Sequence, residues 1–131
     1  MKILNLSLHT KWFDLTKAGI KKEDYREINP YWCNRFLLFN GNTKKKEFWE
    51  AEVFKSDAHT PTQLLLSFLV KEIVSFKKYD KNKMTLGYPN NTDNLRIETF
   101  VNDGIFIDYG QEEWGAEPNK LYFVIKHGAR D

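Results

Sequence analysis

The sequence predicts an α+β fold: a small, closed or half-closed β-barrel of six or seven mostly antiparallel strands, with two helices at its ends. Short segments of alternating or β-branched apolar residues recur between turn signals, whereas helical spacing of apolar residues occurs in only two places. The chain has 131 residues, of which 41% are hydrophobic and 29% charged, as is ordinary for one globular domain. We therefore expect residues 1–131 to form a single domain.

The first two elements are predicted from the N-terminal residues. Residues 2–8 alternate between apolar and polar side chains, which favours a strand. The next segment predicts a two-turn helix over residues 10–18, with Thr10 as its N-cap. Gly19 stands where a helix-terminating residue in the left-handed conformation belongs.

A hairpin is predicted next. The sequence FLLF at residues 36–39 is typical of a buried strand, and Asn-Gly-Asn at 40–42 is a turn signal. Residues 47–54 return to an alternating apolar pattern, so we expect them to form a strand that pairs with 36–39. The three lysines at 44–46 would then lie at a solvated hairpin tip.

The second helix has a well-marked start. Thr60 fits the N-cap, Pro61 the first helical position, and Gln63 completes a capping box. Apolar residues at helical spacing then predict a helix that continues to residue 76. Because β-branched residues are frequent in its second half, an alternative is a helix that ends near residue 70, followed by a strand over 73–79.

The rest of the chain is predicted to be mainly extended. Two polar loops, 89–94 and 111–119, contain the turn-forming residues of this part. The predicted strands are residues 83–88, 95–101, 104–109 and 121–126.

The charge distribution is compatible with phosphate binding without proving it. The formal net charge is +2. Residues 1–50 carry ten basic against six acidic side chains, whereas residues 51–131 carry ten against twelve. A basic N-terminal part suits a phosphate ligand, but solvated surface charge is the commoner explanation of such an excess.

Several other classes of protein are excluded by composition. Cys33 is the only cysteine, so there is no internal disulfide and no multi-cysteine zinc site. We expect it to be a buried structural thiol. Since proteins without disulfides are typical of a reducing compartment, we expect a cytoplasmic protein. No apolar run approaches the length of a membrane span, so no membrane partner is expected. We expect no metal and no cofactor, because the histidines are widely spaced, at His9, His59 and His127.

The densest charged cluster follows the first helix. Six of the seven residues from Lys21 to Glu27 are charged, so they cannot all be buried. Such a cluster suits a phosphate held by Lys21 and Arg26, or a lysine amine oriented beside a carboxylate for proton transfer. The alternative is a solvated strand whose cross-strand ion pairs each contribute little.

The spacing G-x-K-x-x-[E/D]-x-R in this cluster resembles the signature of the ASCH domain family, and particularly its phage and bacterial single-domain members. The matching positions are Gly19, Lys21, Asp24 and Arg26. The downstream segments Pro-Tyr-Trp at 30–32 and Trp-Gly-Ala at 114–116 add to the likeness. The resemblance implies a PUA-like β-barrel. Residues 42–82 match least well, which implies a helical insertion around 56–80.

In many members of that family, RNA or a nucleotide is taken to bind in a cleft beside the signature. By resemblance, Lys21 and Arg26 would contact phosphate or base edges, and Gly19 would be structural. The candidate base-stacking residues are Tyr25, Tyr31, Trp32 and Trp114. Packing in the core or at the cleft rim is the alternative for the two tryptophans.

Some small members are instead metal-independent amidohydrolases that act on acylated cytidine, such as N4-acetylcytidine. The resemblance implies a catalytic set of Lys21, the residue at the carboxylate position, here Asp24, and a distant glutamate. Those enzymes have threonine where this chain has Asp24, and a carboxylate does not replace a hydroxyl nucleophile on equal terms. Glu98 is the candidate for the distant glutamate, with Glu52 as its rival.

Overall fold

The computed structural model describes residues 1–55, 59–90 and 92–131, which form a curled, mixed, five-stranded half-barrel sheet, a two-stranded sheet and four α-helices. The strands are β1 (Ile3–Leu8), β2 (Glu23–Arg26), β3 (Leu37–Phe39), β4 (Val74–Phe76), β5 (Lys81–Leu86), β6 (Ile97–Tyr109) and β7 (Leu121–Arg130). The helices are α1 (Thr10–Lys17), α2 (Pro30–Phe36), α3 (Lys46–Trp49) and α4 (Pro61–Val70). A π-helical turn (Glu50–Phe54) continues α3, and a 3₁₀ turn (Glu112–Trp114) precedes β7.

The larger sheet has the order β1-β5-β6-β7-β2. Only β1 and β5 run parallel, while the other three pairs are antiparallel, as are β3 and β4 in the smaller sheet. The α+β class, a half-barrel sheet and the mostly antiparallel pairing are thus confirmed for the described residues, whereas the strands are divided between a five-stranded and a two-stranded sheet and do not form one barrel of six or seven strands. The predicted count of two helices is wrong, because α3 overlaps the predicted strand over residues 47–54 and no helix was predicted where α2 lies.

One predicted helix start, at Thr60, and one predicted helix end, at Gly19, are confirmed, whereas the Thr10 N-cap and the helix end at residue 76 are wrong. Gly19 follows α1 with a φ of +76°, although His9, not Thr10, is the N-cap of that helix. Thr60 forms the predicted capping box with Gln63. The alternative boundary for α4 is the correct one, since Glu72 adopts a φ of +60° and ends the helical backbone before β4.

The predicted strand over residues 47–54 is wrong. Trp49 and Val53 are fully buried, whereas Ala51 between them is exposed, which fits a helical face and not the two-residue period of a strand. β3 pairs with β4 instead, and the predicted turn at 40–42 is present between β3 and α3. The lysines at 44–46 therefore lead into α3 and do not form a hairpin tip.

Helix α2 was missed, although its N-terminal signal is present in the sequence. Asn29 accepts a hydrogen bond from the backbone N–H of Trp32 at 2.9 Å, and Pro30 occupies the first helical turn. The helix buries Phe36 and Cys33, and burial raises the pKa of the Cys33 thiol to about 12. The expectation of a buried thiol is thereby confirmed.

The last predicted strands are confirmed with different boundaries. The segments 95–101 and 104–109 belong to one long strand, β6, whose pairing with β7 is irregular between Phe100 and Ile105. A helical insertion was predicted around residues 56–80. Residues 59–80 contain α4 and β4, and residues 56–58 lie outside the described residues. That this segment is an insertion stays a prediction.

The hydrophobic core fills the concave side of the large sheet. Its fully buried residues come from the sheet and from the helices that cover it, among them Leu4, Phe13, Phe36, Trp49, Met84 and Phe123. No helix in the described ranges combines the length and the apolar character that crossing a membrane requires.

Candidate functional site

A cleft of about 250 Å³ opens between α1, β2, β7 and the 3₁₀ turn. We call it the aromatic cleft; its lining residues are Trp12, Lys21, Asp24, Tyr25, Glu27, Trp114, Gly115, Glu117 and Tyr122. Four of the residues singled out in the sequence, Lys21, Asp24, Tyr25 and Trp114, therefore lie together. They come from both ends of the chain, and the antiparallel pairing of β2 with β7 brings them to one place.

The floor of the aromatic cleft holds a buried ion pair. Lys21 and Asp24 are only 3% and 4% exposed, and the Lys21 Nζ lies 3.2 Å from Asp24 Oδ1. The same ammonium donates to the backbone carbonyl of Glu23 at 2.7 Å. The turn after α1 positions Lys21, whose backbone N–H donates to the carbonyl of Leu15 at 3.0 Å. Burial lowers the pKa of Lys21, and the neighbouring Asp24 opposes that shift.

Arg26 supports the ion pair from outside the aromatic cleft. Its Nε donates to Asp24 Oδ2 at 2.7 Å, so the carboxylate is shared between two cations. Its Nη2 donates to the carbonyl of Ser7 at 2.9 Å, which joins the two edge strands, β2 and β1. The guanidinium also lies over the ring of Trp32, 4.9 Å from its centroid. The structure thus gives Arg26 a bracing position and does not bring it into the cleft with Lys21.

Four other candidates also lie apart from the cleft lining. Trp32 stacks on Phe36 within α2, and the half-exposed Tyr31 accepts a hydrogen bond from Arg35. Glu98 lies on β6 as predicted, where it forms an ion pair with Arg130. Glu52 is an exposed residue of the π-helical turn.

Aromatic rings form the walls of the cleft. Trp12 and Trp114 contribute from α1 and the 3₁₀ turn, and Tyr25 and Tyr122 face each other across β2 and β7 with ring centroids 5.8 Å apart. Gly115 adopts a φ of +99°, and a Cβ there would lie 2.8 Å from the Trp12 ring. A glycine is therefore required for the turn to approach Trp12 this closely.

The tyrosine hydroxyls anchor the loop beside the cleft. The Tyr25 hydroxyl donates to Glu23 at 2.6 Å and accepts from the backbone N–H of Gln111 at 2.8 Å, while Tyr122 accepts from that of Glu117 at 3.0 Å. Burial raises the pKa of Tyr25 well above its usual range. The Tyr25 hydroxyl is engaged as both donor and acceptor and the Tyr122 hydroxyl as an acceptor, so the two tyrosines contribute mainly ring surface to the cleft.

Sequence reasoning missed Trp12 and Tyr122 as members of the site. Trp12 was assigned only to a helix face, and Tyr122 only to the last strand. The glycine of Trp-Gly-Ala was the available signal, because a glycine between bulky residues marks a close approach of the backbone to another group.

The carboxylates that line the aromatic cleft are all paired with cations. Lys21 faces the carboxylates of Asp24, Glu27 and Glu117. Lys120 lies nearby and pairs with Glu27 at 2.9 Å and with Glu117 at 3.4 Å. This pairing disfavours an anionic group inside the cleft and suits a flat, neutral ring with hydrogen-bonding edges.

The described residues contain no group of three His, Cys, Asp or Glu side chains close enough to hold a metal ion. The fold and the cleft define the chain as an α+β half-barrel with a ring-lined pocket over a buried ion pair. No family model, curated protein or solved structure matches the chain. The likeness of residues 19–26 to the ASCH signature therefore stays a prediction.

Proposed function

We propose that the chain binds a nucleoside, or an unpaired base of an RNA, in the aromatic cleft. The observation that carries the proposal is the buried Lys21–Asp24 pair on the floor between four aromatic walls. Unpaired bases are recognised in proteins by stacking on aromatic rings together with hydrogen bonds to their edges. Lys21 supplies a donor and Asp24 an acceptor, which together match a base edge that has both kinds of group.

The charge of the cleft supports a base over a phosphate as the group bound there. Asp24, Glu27 and Glu117 are paired with Lys21, Arg26 or Lys120, so the lining offers a phosphate no cation that lacks a carboxylate partner, whereas a nucleobase is neutral at pH 7. The resemblance of Gly19, Lys21, Asp24 and Arg26 to the ASCH signature also supports a ligand of this class.

Replacing Trp114 with alanine is expected to weaken nucleoside binding by about ten- to a hundredfold, because stacking contributes ~1–3 kcal/mol per base. Isothermal titration calorimetry with the four ribonucleosides and with a short single-stranded RNA measures this loss. Tyr88→Ala is the matched control, since Tyr88 is an almost fully exposed ring outside the cleft lining. Unchanged affinity in Trp114→Ala, or an equal loss in Tyr88→Ala, would contradict the proposal.

A second candidate function is hydrolysis of an acylated nucleoside. It is favoured by the position of Lys21, whose amine lines the cleft although the residue is 3% exposed; this burial lowers its pKa, and Asp24 opposes the shift. In its neutral form, the amine would take a proton from water while the oxygen attacks the amide carbon. The C–N bond would then break, with the proton passing to the leaving amine. None of the lining residues is Ser, Thr or Cys, so water is the nucleophile that this cleft suits.

For this second candidate we expect N4-acetylcytidine to be converted to cytidine by the native protein and not by Lys21→Met. Chromatography of the products, after incubation at high protein concentration, measures the conversion. Lys71→Met, at an exposed lysine after α4, is the control for loss of a positive charge. Absence of cytidine would exclude hydrolysis of this substrate, while binding of the intact compound would still support the first candidate.

A further inference from the structure

A second cleft, of about 370 Å³, lies beside the first one. We call it the basic cleft; its lining residues are Gly19, Lys21, Lys22, Phe100, His127, Gly128 and Arg130. Lys21 lines both clefts, so the two share this side chain as a common wall.

The two clefts differ in charge. The lining of the basic cleft contains three cationic side chains and no carboxylate. Two of the cations are already paired, Lys21 with Asp24 and Arg130 with Glu98. Within the described part of the chain, the exposed Lys22 forms no ion pair, so its ammonium is available to an anion.

His127 lines the basic cleft, and one of its ring nitrogens has no hydrogen-bond partner among the described residues. The Asn82 amide nitrogen lies 2.9 Å from His127 Nδ1, and the Asn82 carbonyl oxygen accepts from Asn102 at 2.6 Å. This network makes Nδ1 an acceptor, which places the proton of a neutral imidazole on Nε2. Nε2 is buried and has no hydrogen-bond partner among the described residues.

Burial keeps the His127 imidazole neutral. It lowers the pKa of His127 to about 4, and the charge of Lys21 lowers it further, against the opposing effect of Asp24. At neutral pH the ring is therefore an N–H donor without an acceptor, at the edge of a cleft that lacks carboxylates. Buried donors of this kind are normally paired, and the oxygen of a bound oxyanion would supply the missing acceptor.

We infer that the basic cleft binds a phosphate group of the same ligand whose base occupies the aromatic cleft. The ligand would then be a nucleotide or an RNA strand and not a free nucleoside. The inference rests on the proposed function for the position of the base, whereas the position of the phosphate is argued from Lys22, Arg130 and His127. Phosphate is thereby assigned to a different set of cations from the Lys21 and Arg26 pair expected from the sequence.

Calorimetric titration compares each ribonucleoside with its 5′-monophosphate, its 3′-monophosphate and a dinucleotide. We expect at least one phosphorylated form to bind about tenfold more tightly than the nucleoside, as one charge-assisted hydrogen bond provides. If only the monophosphates bind more tightly than the nucleoside, the phosphate of the ligand comes from a free nucleotide. If the dinucleotide also binds more tightly, the phosphate comes from an RNA backbone. Lys22→Ala should abolish the gain, whereas the control Lys71→Ala should retain it.

Equal affinity of nucleosides and phosphorylated forms, or a gain that persists in Lys22→Ala, would overturn the inference and leave the proposed function intact. If no nucleoside or nucleotide binds, the proposed function fails, and inorganic phosphate then tests the basic cleft by itself. Phosphate should shift the NMR signals of the His127 ring and raise its pKa, because a nearby anion favours the imidazolium form. Unshifted His127 signals in saturating phosphate would overturn the phosphate site as well.

Discussion

Asp24→Asn is expected to destabilise the protein by about 3–5 kcal/mol, because it leaves a buried ammonium without its counter-ion. Lys21 is 3% exposed, and Asp24 is the carboxylate with which it is paired. Asparagine keeps the shape of the side chain, removes its charge and replaces one of the two acceptor oxygens by an NH2 donor. Urea denaturation at neutral pH, followed by circular dichroism, measures the free energy of unfolding.

The matched control is Lys21→Met, which removes the other member of the pair. Its cost should be clearly smaller, since Asp24 keeps its 2.7 Å contact with Arg26 and is not left alone. The double variant, Lys21→Met with Asp24→Asn, should be more stable than Asp24→Asn, because the unpaired ammonium is gone. The account of the cleft floor is contradicted if Lys21→Met lowers the free energy of unfolding as much as Asp24→Asn does and if the two effects add in the double variant.

The sequence predicts the cleft floor better than the cleft walls. Lys21 and Asp24 are three residues apart, next to a glycine that ends a helix, so local backbone geometry alone brings them together. The walls depend on contacts between Trp12 and the turn at Gly115, and between Tyr25 and Tyr122. These residues are about a hundred positions apart, and only the pairing of β2 with β7 makes them neighbours.

The wrong strand at residues 47–54 and the missed helix at 30–36 have different causes. Aromatic residues that are adjacent in sequence fit a strand and a helix equally well, and tertiary packing decides between them. Trp49 and Val53 are buried by packing under β3 and α4, which no local pattern in residues 47–54 reveals. At residues 30–36, by contrast, the capping residue Asn29 and the proline after it were present as signals for a helix.

His127 is expected to make the stability of the protein depend on pH between about 6.5 and 4. Its pKa is about 4 in the folded protein, against 6.5 for an unperturbed histidine. As the pH falls through this interval, the unfolded chain takes up a proton that the folded protein does not, so stability is lost. Above pH 6.5 the contribution of His127 to the free energy of unfolding is fully present. Between pH 6.5 and 4 the protein loses about 3 kcal/mol of this free energy, and below pH 4 His127 causes no further loss.

Urea denaturation at a series of pH values, carried out on the native protein and on His127→Gln, isolates this contribution. Carboxylates titrate in both proteins, so the difference between the two stability curves reports His127 alone. The difference in free energy of unfolding between the two proteins should change between pH 6.5 and 4 and stay constant above pH 6.5. This holds however much the substitution itself destabilises the protein. Parallel curves for the native protein and His127→Gln would mean that His127 is solvated and charges normally, which would also remove the neutral N–H donor from the basic cleft.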